Sequence, residues 1–257
     1  VDGDALALAR AVADALDGAY YPLDVTRGTG RALVIDPHDA TAMLDFAILR
    51  GGSLEADLHS RDFTLNAMAL DASGEVIDPT GGLPDLENER IRATGPQAFQ
   101  DDPIRLLRAI RLETQLQFTI EPQTLTWLKR DVTQLAQTTA ERMRDEFLTL
   151  IDLPGAVRGL QRLDALGLLT PVIPEIDTMK GIAQSPPHRF DVWQHTLRVL
   201  DVLEGVLAAA TGQPVPEMHL ARIEPAAWET LCRALSPFSA ALQAYLAIEI
   251  ASGHTHA

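Results

Sequence analysis

Asp101-Asp102-Pro103-Ile104-Arg105-Leu106-Leu107-Arg108-Ala109-Ile110-Arg111 marks the point at which the chain changes character. Asp followed by Pro signals a helix start, with Asp as the N-cap and Pro at the first helical position, where a missing N–H costs nothing. Arg at 105, 108 and 111 recurs every three residues, which lays three guanidinium groups along one side of that helix within about two turns. A solvated face would tolerate the same stripe, but no Lys or Glu is interleaved with it. From Pro96 onward the pattern is almost entirely helical, with candidates at 103–115, 121–136, 139–152, 154–166, 190–210, 225–235 and around 237–251. Upstream, apolar residues at helical spacing predict a helix over Ala5–Leu16, ended by Gly18. Strand-like stretches follow at Ala19–Val25, Arg31–Ile35 and Met43–Leu49, separated by turn residues at Arg27–Gly30 and Asp36–Ala40. A further strand pair is expected around Ala67–Asp71 and Glu75–Ile77. The expected class is α+β: a helix packed on a small sheet, then helices alone.

With 257 residues, 46% of them hydrophobic, the chain can bury a core and can hold two or three compact units. Cys232 stands alone, so no intrachain disulfide forms, which suits a reducing cytoplasm. No apolar run approaches the ~18 residues of a membrane helix, so a soluble protein with no membrane partner is expected. The opening Val1-Asp2-Gly3-Asp4-Ala5 reads like the exit of a strand into a helix, and neither end closes a recognisable element, which suggests a piece of a longer chain. A net charge of −15 argues against indiscriminate nucleic-acid binding. Its distribution is uneven: −10 over residues 1–100, −1 over 101–160 and −4 over 161–257. A phosphate backbone fits the middle segment best. Most of the cations are Arg, which can pair in two-pronged fashion with phosphate or base edges, although a GC-rich coding sequence would give the same bias. Gly181–Pro187 and Gly212–Pro216 are rich in turn formers and mark the softer joints.

A second run, Arg61-Asp62-Phe63-Thr64-Leu65-Asn66-Ala67, precedes the first by about 40 residues. Between them lie Gly74-Glu75-Val76-Ile77-Asp78-Pro79-Thr80-Gly81-Gly82, Asp85-Leu86 and Ile91-Arg92. In this order the segments resemble the ribose-contacting and base-reading motifs of the tRNA nucleotidyltransferase/poly(A) polymerase family, in its class II form. The resemblance covers roughly residues 1–200. It implies a remnant of a nucleotidyltransferase-type mixed sheet as head (1–80) and a helical nucleotide-binding neck (81–152). A helical body (153–185) and the start of an HD-like helical domain (186–257) would follow. It also implies partners, namely CTP, ATP and the 3′ end of tRNA or another RNA, and it implies Mg²⁺ as cofactor.

The residues matching the family's motifs acquire implied roles. Cytosine and adenine each present an exocyclic amino donor beside an unprotonated ring nitrogen, so a carboxylate that accepts and an Arg that donates can hold either base. Guanine and uracil present the opposite order and would leave both groups without partners, at ~1–3 kcal/mol each. Asp102 and Arg105 match the family residues that do this, while Arg108 and Arg111 would hold nucleotide or phosphate from the next turns. Arg61 would reach the triphosphate, Asp62 the sugar, and Asn66 would fix the loop or the ribose; seen without the family, Asp62 reads as a helix cap. Two departures stand out: Asp101 where Glu is usual, and Ser60 where the Arg is often doubled. Ala140-Glu141-Arg142-Met143-Arg144-Asp145-Glu146 resembles a family helix that supports the nucleotide pocket.

Nucleotidyl transfer of this kind needs carboxylates that hold two Mg²⁺ ions about 4 Å apart. The family draws two of them from an Asp-x-Asp strand after a Gly-rich turn, and neither feature is present here, so that pair is expected upstream of Val1. The Asp-x-Asp formed by Asp2 and Asp4 sits at a helix entrance, where capping is the expected task. Asp45, in a strand-like stretch, is the candidate third carboxylate, with a strand-edge acid facing water as the alternative. His195, near His188, resembles the first ligand of the HD-type phosphohydrolase domain of some members. No His-Asp pair follows it, His38-Asp39 lying far upstream, so an incomplete metal site or ordinary packing remains. The function implied is template-independent addition of C and/or A to tRNA 3′ ends, probing of this segment alone being expected to find weak nucleotide binding without catalysis. Alternatives are a poly(A) polymerase of the same family and a non-catalytic RNA- or nucleotide-binding module.

Overall fold

A computed structural model describes residues 1–35, 41–186, 188–210, 224–246, 249–251 and 254–255, those after 246 by backbone only. The expected turn at Asp36–Ala40, His38-Asp39 with it, and the joint at Gly212–Pro216 lie outside the described residues. The chain divides into two compact units, Val1–Leu83 and Pro84–Ala257.

The first unit is a helix on a sheet. Helix α1 (Ala5–Ala15) starts at Asp4, whose side chain accepts from the Ala7 N–H, so capping is the task that Asp4 performs. Its small buried face, Ala5, Ala9 and Ala13, lies against strands β1 (Ala19–Asp24), β2 (Thr29–Ile35) and β3 (Thr41–Ala47). These strands pair antiparallel in the order β1-β2-β3, and Ala32 and Val34 of the central strand face the core. Val1 donates to the Ala47 carbonyl and accepts from the Leu49 N–H, the hydrogen-bond pattern of parallel strands. Beyond the sheet come α2 (Leu54–His59), capped by Ser53, and the short hairpin β4 (Ala69–Leu70) with β5 (Val76–Ile77). Helix α2 was not expected from the sequence: its six residues are too few to show a helical period.

The second unit is mainly helical but not wholly so. After α3 (Gly82–Glu87), which begins at the boundary, β6 (Arg90–Ile91) pairs in parallel with β7 (Thr119–Ile120) across α4 (Ala98–Asp101) and α5 (Arg105–Leu116). Helices α6 (Pro122–Asp131), α7 (Ala140–Ile151) and α8 (Ala156–Ala165) complete the core. Its fully buried side chains include Phe99, Leu106, Ile110, Leu128, Leu150 and Leu163. Gly159 brings α8 close to α5 and α7, because a Cβ there would overlap Thr114 and Leu150. Further on lie α9 (Ile176–Met179), α10 (Val192–Ala210) and helices Pro225–Leu235 and Ser239–Leu246.

Three expectations need correction. Helix 121–136 is α6 followed by a 3₁₀ stretch over Val132–Gln137. The helix expected over 237–251 stops at Leu246, and Glu249–Ala251 pairs with His254–Thr255 as a strand. Ile248 and Ile250, β-branched at alternate positions beside the Ser252-Gly253 turn formers, favour that outcome. Asp102 stands two residues ahead of the formal start of α5, because Pro103 and Ile104 form a turn before the helix proper; its extended backbone (φ −152°, ψ 99°) and the Ile104 amide on its carboxylate are nevertheless those of a capping residue.

Candidate nucleotide-binding site

Residues 57–66 form a polar turn within the first unit. Arg61 follows α2 and donates to Asp57 Oδ2 from Nε (3.3 Å) and Nη2 (3.1 Å), and to the Asn66 carbonyl from Nη1 (3.3 Å). Asp62 is buried, and its Oδ1 accepts from the Phe63 N–H at 2.8 Å and from Asn66 Nδ2 at 3.3 Å. Asn66 and Asp62 are thus linked across the loop. Ser60, where the resembling family often has a second Arg, donates its hydroxyl to the Asp57 carbonyl at 2.7 Å and finishes the helix end. The turn is sealed by Asp78-Pro79-Thr80-Gly81-Gly82. Asp78 accepts from the N–H groups of Gly82 (2.7 Å) and Leu83 (2.9 Å), and burial, which would raise its carboxyl, is outweighed by these amides, so it titrates below the usual range. Gly82 lies against the Thr64 carbonyl so closely that a Cβ would overlap it, which gives the second glycine its physical reason.

The second group lies where α4, α5 and α7 meet. The Asp102 carboxylate receives Arg142 Nη1 at 2.9 Å and Nη2 at 2.8 Å, a two-pronged pair from α7. Its side chain remains 29% exposed and that of Arg142 46%. Burial alone would raise the Asp102 carboxyl, but the Arg142 hydrogen bonds and charge, with Arg105's charge and the Ile104 amide, hold it below the usual range. Arg142 is raised in return. Arg105 is buried and donates to the Ala98 carbonyl at 3.2 Å. Arg108 and Arg111 do form one face, but both turn to Glu146 of α7, from Nε to Oε1 at 3.1 Å and from Nε to Oε2 at 2.7 Å. The stripe is thus split: one guanidinium enters the core and two share a carboxylate. Three guanidiniums, those of Arg108, Arg111 and Arg142, pair with two carboxylates here, with the charge of Arg105 acting on Asp102 as well.

Arg142 and Glu146 are the residues that sequence reasoning did not single out. The available signal was their i, i+4 spacing on one face of a helix already set aside as pocket-supporting.

The candidate metal residues are placed differently. Asp45 of β3 sits opposite Arg31 of β2 and takes Nε at 2.6 Å and Nη2 at 2.9 Å, so both its oxygens are engaged. The hydrogen bonds from Arg31 hold its carboxyl below the usual range. His195 of α10 meets the His188 ring edge-on, with centroids 5.0 Å apart. Among the described residues, no group of three His, Cys, Asp or Glu side chains is spaced to hold a metal ion. The described carboxylates do not fit a two-metal centre: Asp4 caps a helix and Asp45 is paired with a cation.

Comparison with known proteins adds two family-model matches. The poly A polymerase head domain matches residues 27–92, and a probable RNA and SrmB-binding site of polymerase A matches 117–180. An A-adding tRNA nucleotidyltransferase of Deinococcus radiodurans is 38% identical over 205 residues, 78% of this chain and 46% of the relative. A CC-adding tRNA nucleotidyltransferase of Geobacter sulfurreducens is 40% identical over 162 residues, 63% of this chain and 37% of the relative. Among solved structures, a tRNA nucleotidyltransferase complexed with a primer tRNA and an incoming ATP analogue superposes with a TM-score of 0.62. It is 27% identical and covers 80% of this chain and 58% of its own. The chain spans less than half the length of the two sequence relatives. Asp102 to Arg111 fall between the two matched segments, whereas Arg142 and Glu146 fall inside the second.

Proposed function

The chain belongs to the tRNA nucleotidyltransferase/poly(A) polymerase family, and from that premise we propose that it serves template-independent addition of C and/or A, from CTP and ATP, to the 3′ end of tRNA. The observation that supports this reading best is the partly exposed Asp102 carboxylate at the head of α5, under the charge of Arg105. Asp102 accepts from the exocyclic amino group of cytosine or adenine, and Arg105 donates to the neighbouring ring nitrogen. Arg108 and Arg111 add positive charge for phosphate one and two turns along. For the first unit taken by itself, the reading assigns Arg61 to phosphate and Asp62 and Asn66 to a ribose. Relatives named for adding A and for adding CC both resemble this chain, which agrees with a carboxylate–guanidinium pair that accepts both bases.

Mg²⁺ belongs to this reading only as the Lewis acid that such a transfer would require, no group among the described residues being spaced to hold it, and a cytoplasmic setting belongs to it as the home of tRNA maturation. No helix among the described residues is long and apolar enough to cross a membrane.

Equilibrium binding of the four nucleoside triphosphates to this chain tests the reading. CTP and ATP should bind about tenfold or more tightly than UTP and GTP, since a mismatched edge strands a polar group at ~1–3 kcal/mol. Replacing Asp102 and Arg105 together by Ala should erase the preference. Equal affinities for all four in the unaltered chain would sink the proposal.

A further inference from the structure

Arg142 holds both oxygens of Asp102 from a neighbouring helix, 40 residues away in sequence. A carboxylate offers about four acceptor positions; the two-pronged Arg takes one on each oxygen and the Ile104 amide a third, so about one remains for an incoming amino group. The Arg fork also fixes the plane of the carboxylate, which a rotating side chain would otherwise sample. Arg142 also feels the opposite charge of Glu146, one turn along α7, and the like charge of Arg108 on α5. The charged groups facing Asp102 are therefore Arg105 from its own helix and Arg142 from α7.

We propose that Arg142 is a positioning residue for base selection: it keeps Asp102 an oriented, acceptor-only carboxylate, so that discrimination for an amino-bearing base edge persists in mild acid. This rests on the proposed reading of Asp102. The chemical reason is that a protonated carboxyl carries a donor. It can hydrogen-bond to the carbonyl of uracil or guanine as well as to cytosine or adenine, and selection is lost. Burial pushes the Asp102 carboxyl toward protonation and Arg142 is the main opposing influence. Removing Arg142 leaves burial opposed chiefly by Arg105.

Two measurements on the 257-residue chain test this. The first needs no nucleotide: the Asp102 carboxyl carbon is followed by NMR against pH in the wild-type chain and in Arg142→Met. Its midpoint should rise by about one unit or more in the variant; an unchanged midpoint overturns the proposal. The second is the ratio of CTP to UTP affinity at pH 7.5 and at pH 5.5, a ratio in which changes in the shared triphosphate cancel. The wild-type ratio should hold across this range, whereas that of Arg142→Met should fall by about two- to threefold at the lower pH. A ratio in the variant that stays level overturns the proposal. Should Arg142→Met fail to fold, Arg142→Lys serves. It keeps the charge without the fork, and should weaken CTP binding a few-fold at both pH values, with a lowered CTP-to-UTP ratio that is the same at each. Wild-type affinity in Arg142→Lys overturns the orienting role. If the wild-type chain shows no CTP preference at any pH, the reading of Asp102 fails, while the carboxyl titration still decides whether Arg142 controls its ionisation.

Discussion

The polar turn at 57–66 and the charged face between α5 and α7 solve the same problem, holding polar side chains still, by opposite means. In the turn, Asp62 is bonded to Phe63 and Asn66, and Arg61 to Asp57 and Asn66, all within five residues. On the helical face, Asp102 meets Arg142, and Arg108 and Arg111 meet Glu146, at separations of 35 to 40 residues. A local arrangement is already available to the unfolded chain, so it loses little when distant packing weakens. A cross-helix arrangement exists only when α5 and α7 are packed. Damage to the second region should therefore propagate into the core, and damage to the first should stay near the turn.

The largest effect is expected at Glu146, whose side chain is 13% exposed and balances two guanidiniums, that of Arg111 being 17% exposed. Glu146→Ala leaves both without that carboxylate and should lower stability by about 2–3 kcal/mol, toward the lower end for breaking a largely buried pair. All three Trp residues, 127, 193 and 228, lie in the second unit, so Trp fluorescence in urea reports that unit specifically. An unmoved midpoint would show that the cross-helix pairs contribute nothing and would erase the contrast between the regions.

Next comes Gly82→Ala. The added Cβ meets a backbone carbonyl, not the end of a flexible side chain, so the Thr64 segment must shift, at about 1–2 kcal/mol. Amide hydrogen exchange should quicken across Phe63–Ala67 and stay unchanged across α5 and α7. Equal quickening in both places would mean that the turn is not an independent unit of stability.

The same contrast governs how much could be read from the sequence. Helix α1, the three strands and the hairpin at Ala69–Ile77 follow from local periodicity and turn residues, and the structure places them within a few residues of expectation. The pairing of Asp62 with Asn66 is also local, although Asp62 does not act as the helix cap that its position suggests, the 3₁₀ turn Thr64–Asn66 starting after Phe63 with no side-chain cap. Asp102 shows the limit. Its N-cap signature with Pro103 is sound as local chemistry, and the Ile104 amide does reach its carboxylate, yet both carboxylate oxygens are also taken by Arg142. No local rule reports a partner 40 residues away. Arg105 makes the same point, since spacing put it on a stripe with Arg108 and Arg111 while core packing drew it inward. Helices of four to six residues, α2, α3 and α4, were missed because they are shorter than two turns and show no periodicity.

A smaller effect sharpens the picture of the turn. Asn66 is exposed and reaches Asp62 at 3.3 Å, a long hydrogen bond. Asn66→Ala should cost about 0.5–1 kcal/mol and leave the Trp-reported midpoint in place. A loss larger than that from Gly82→Ala would show that the amide, not the close approach of Gly82, is what fixes residues 61–66.

The smallest effect belongs to Arg31 and Asp45, a pair that has the two-pronged geometry of Asp102–Arg142 but lies across neighbouring strands in water. Solvent screening reduces such pairs to little or nothing. The folded-state carboxyl of Asp45 is depressed, chiefly by its hydrogen bonds from Arg31. Its contribution is therefore present above the unfolded carboxylate value, near 4, and is lost as pH falls through the depressed folded value. Arg31→Gln should thus cause at most a slight loss at neutral pH in dilute buffer, detectable by exchange at the β2–β3 amides, and none in 1 M salt. Millimolar Mg²⁺ should leave that small difference unaltered, because a single exposed carboxylate already paired with Arg offers too few oxygens for the ion. If Mg²⁺ instead abolished the difference between wild type and Arg31→Gln, Asp45 would be exchanging its cation for the metal. The strand pair would then have to be regarded as part of the catalytic apparatus, not as a surface contact.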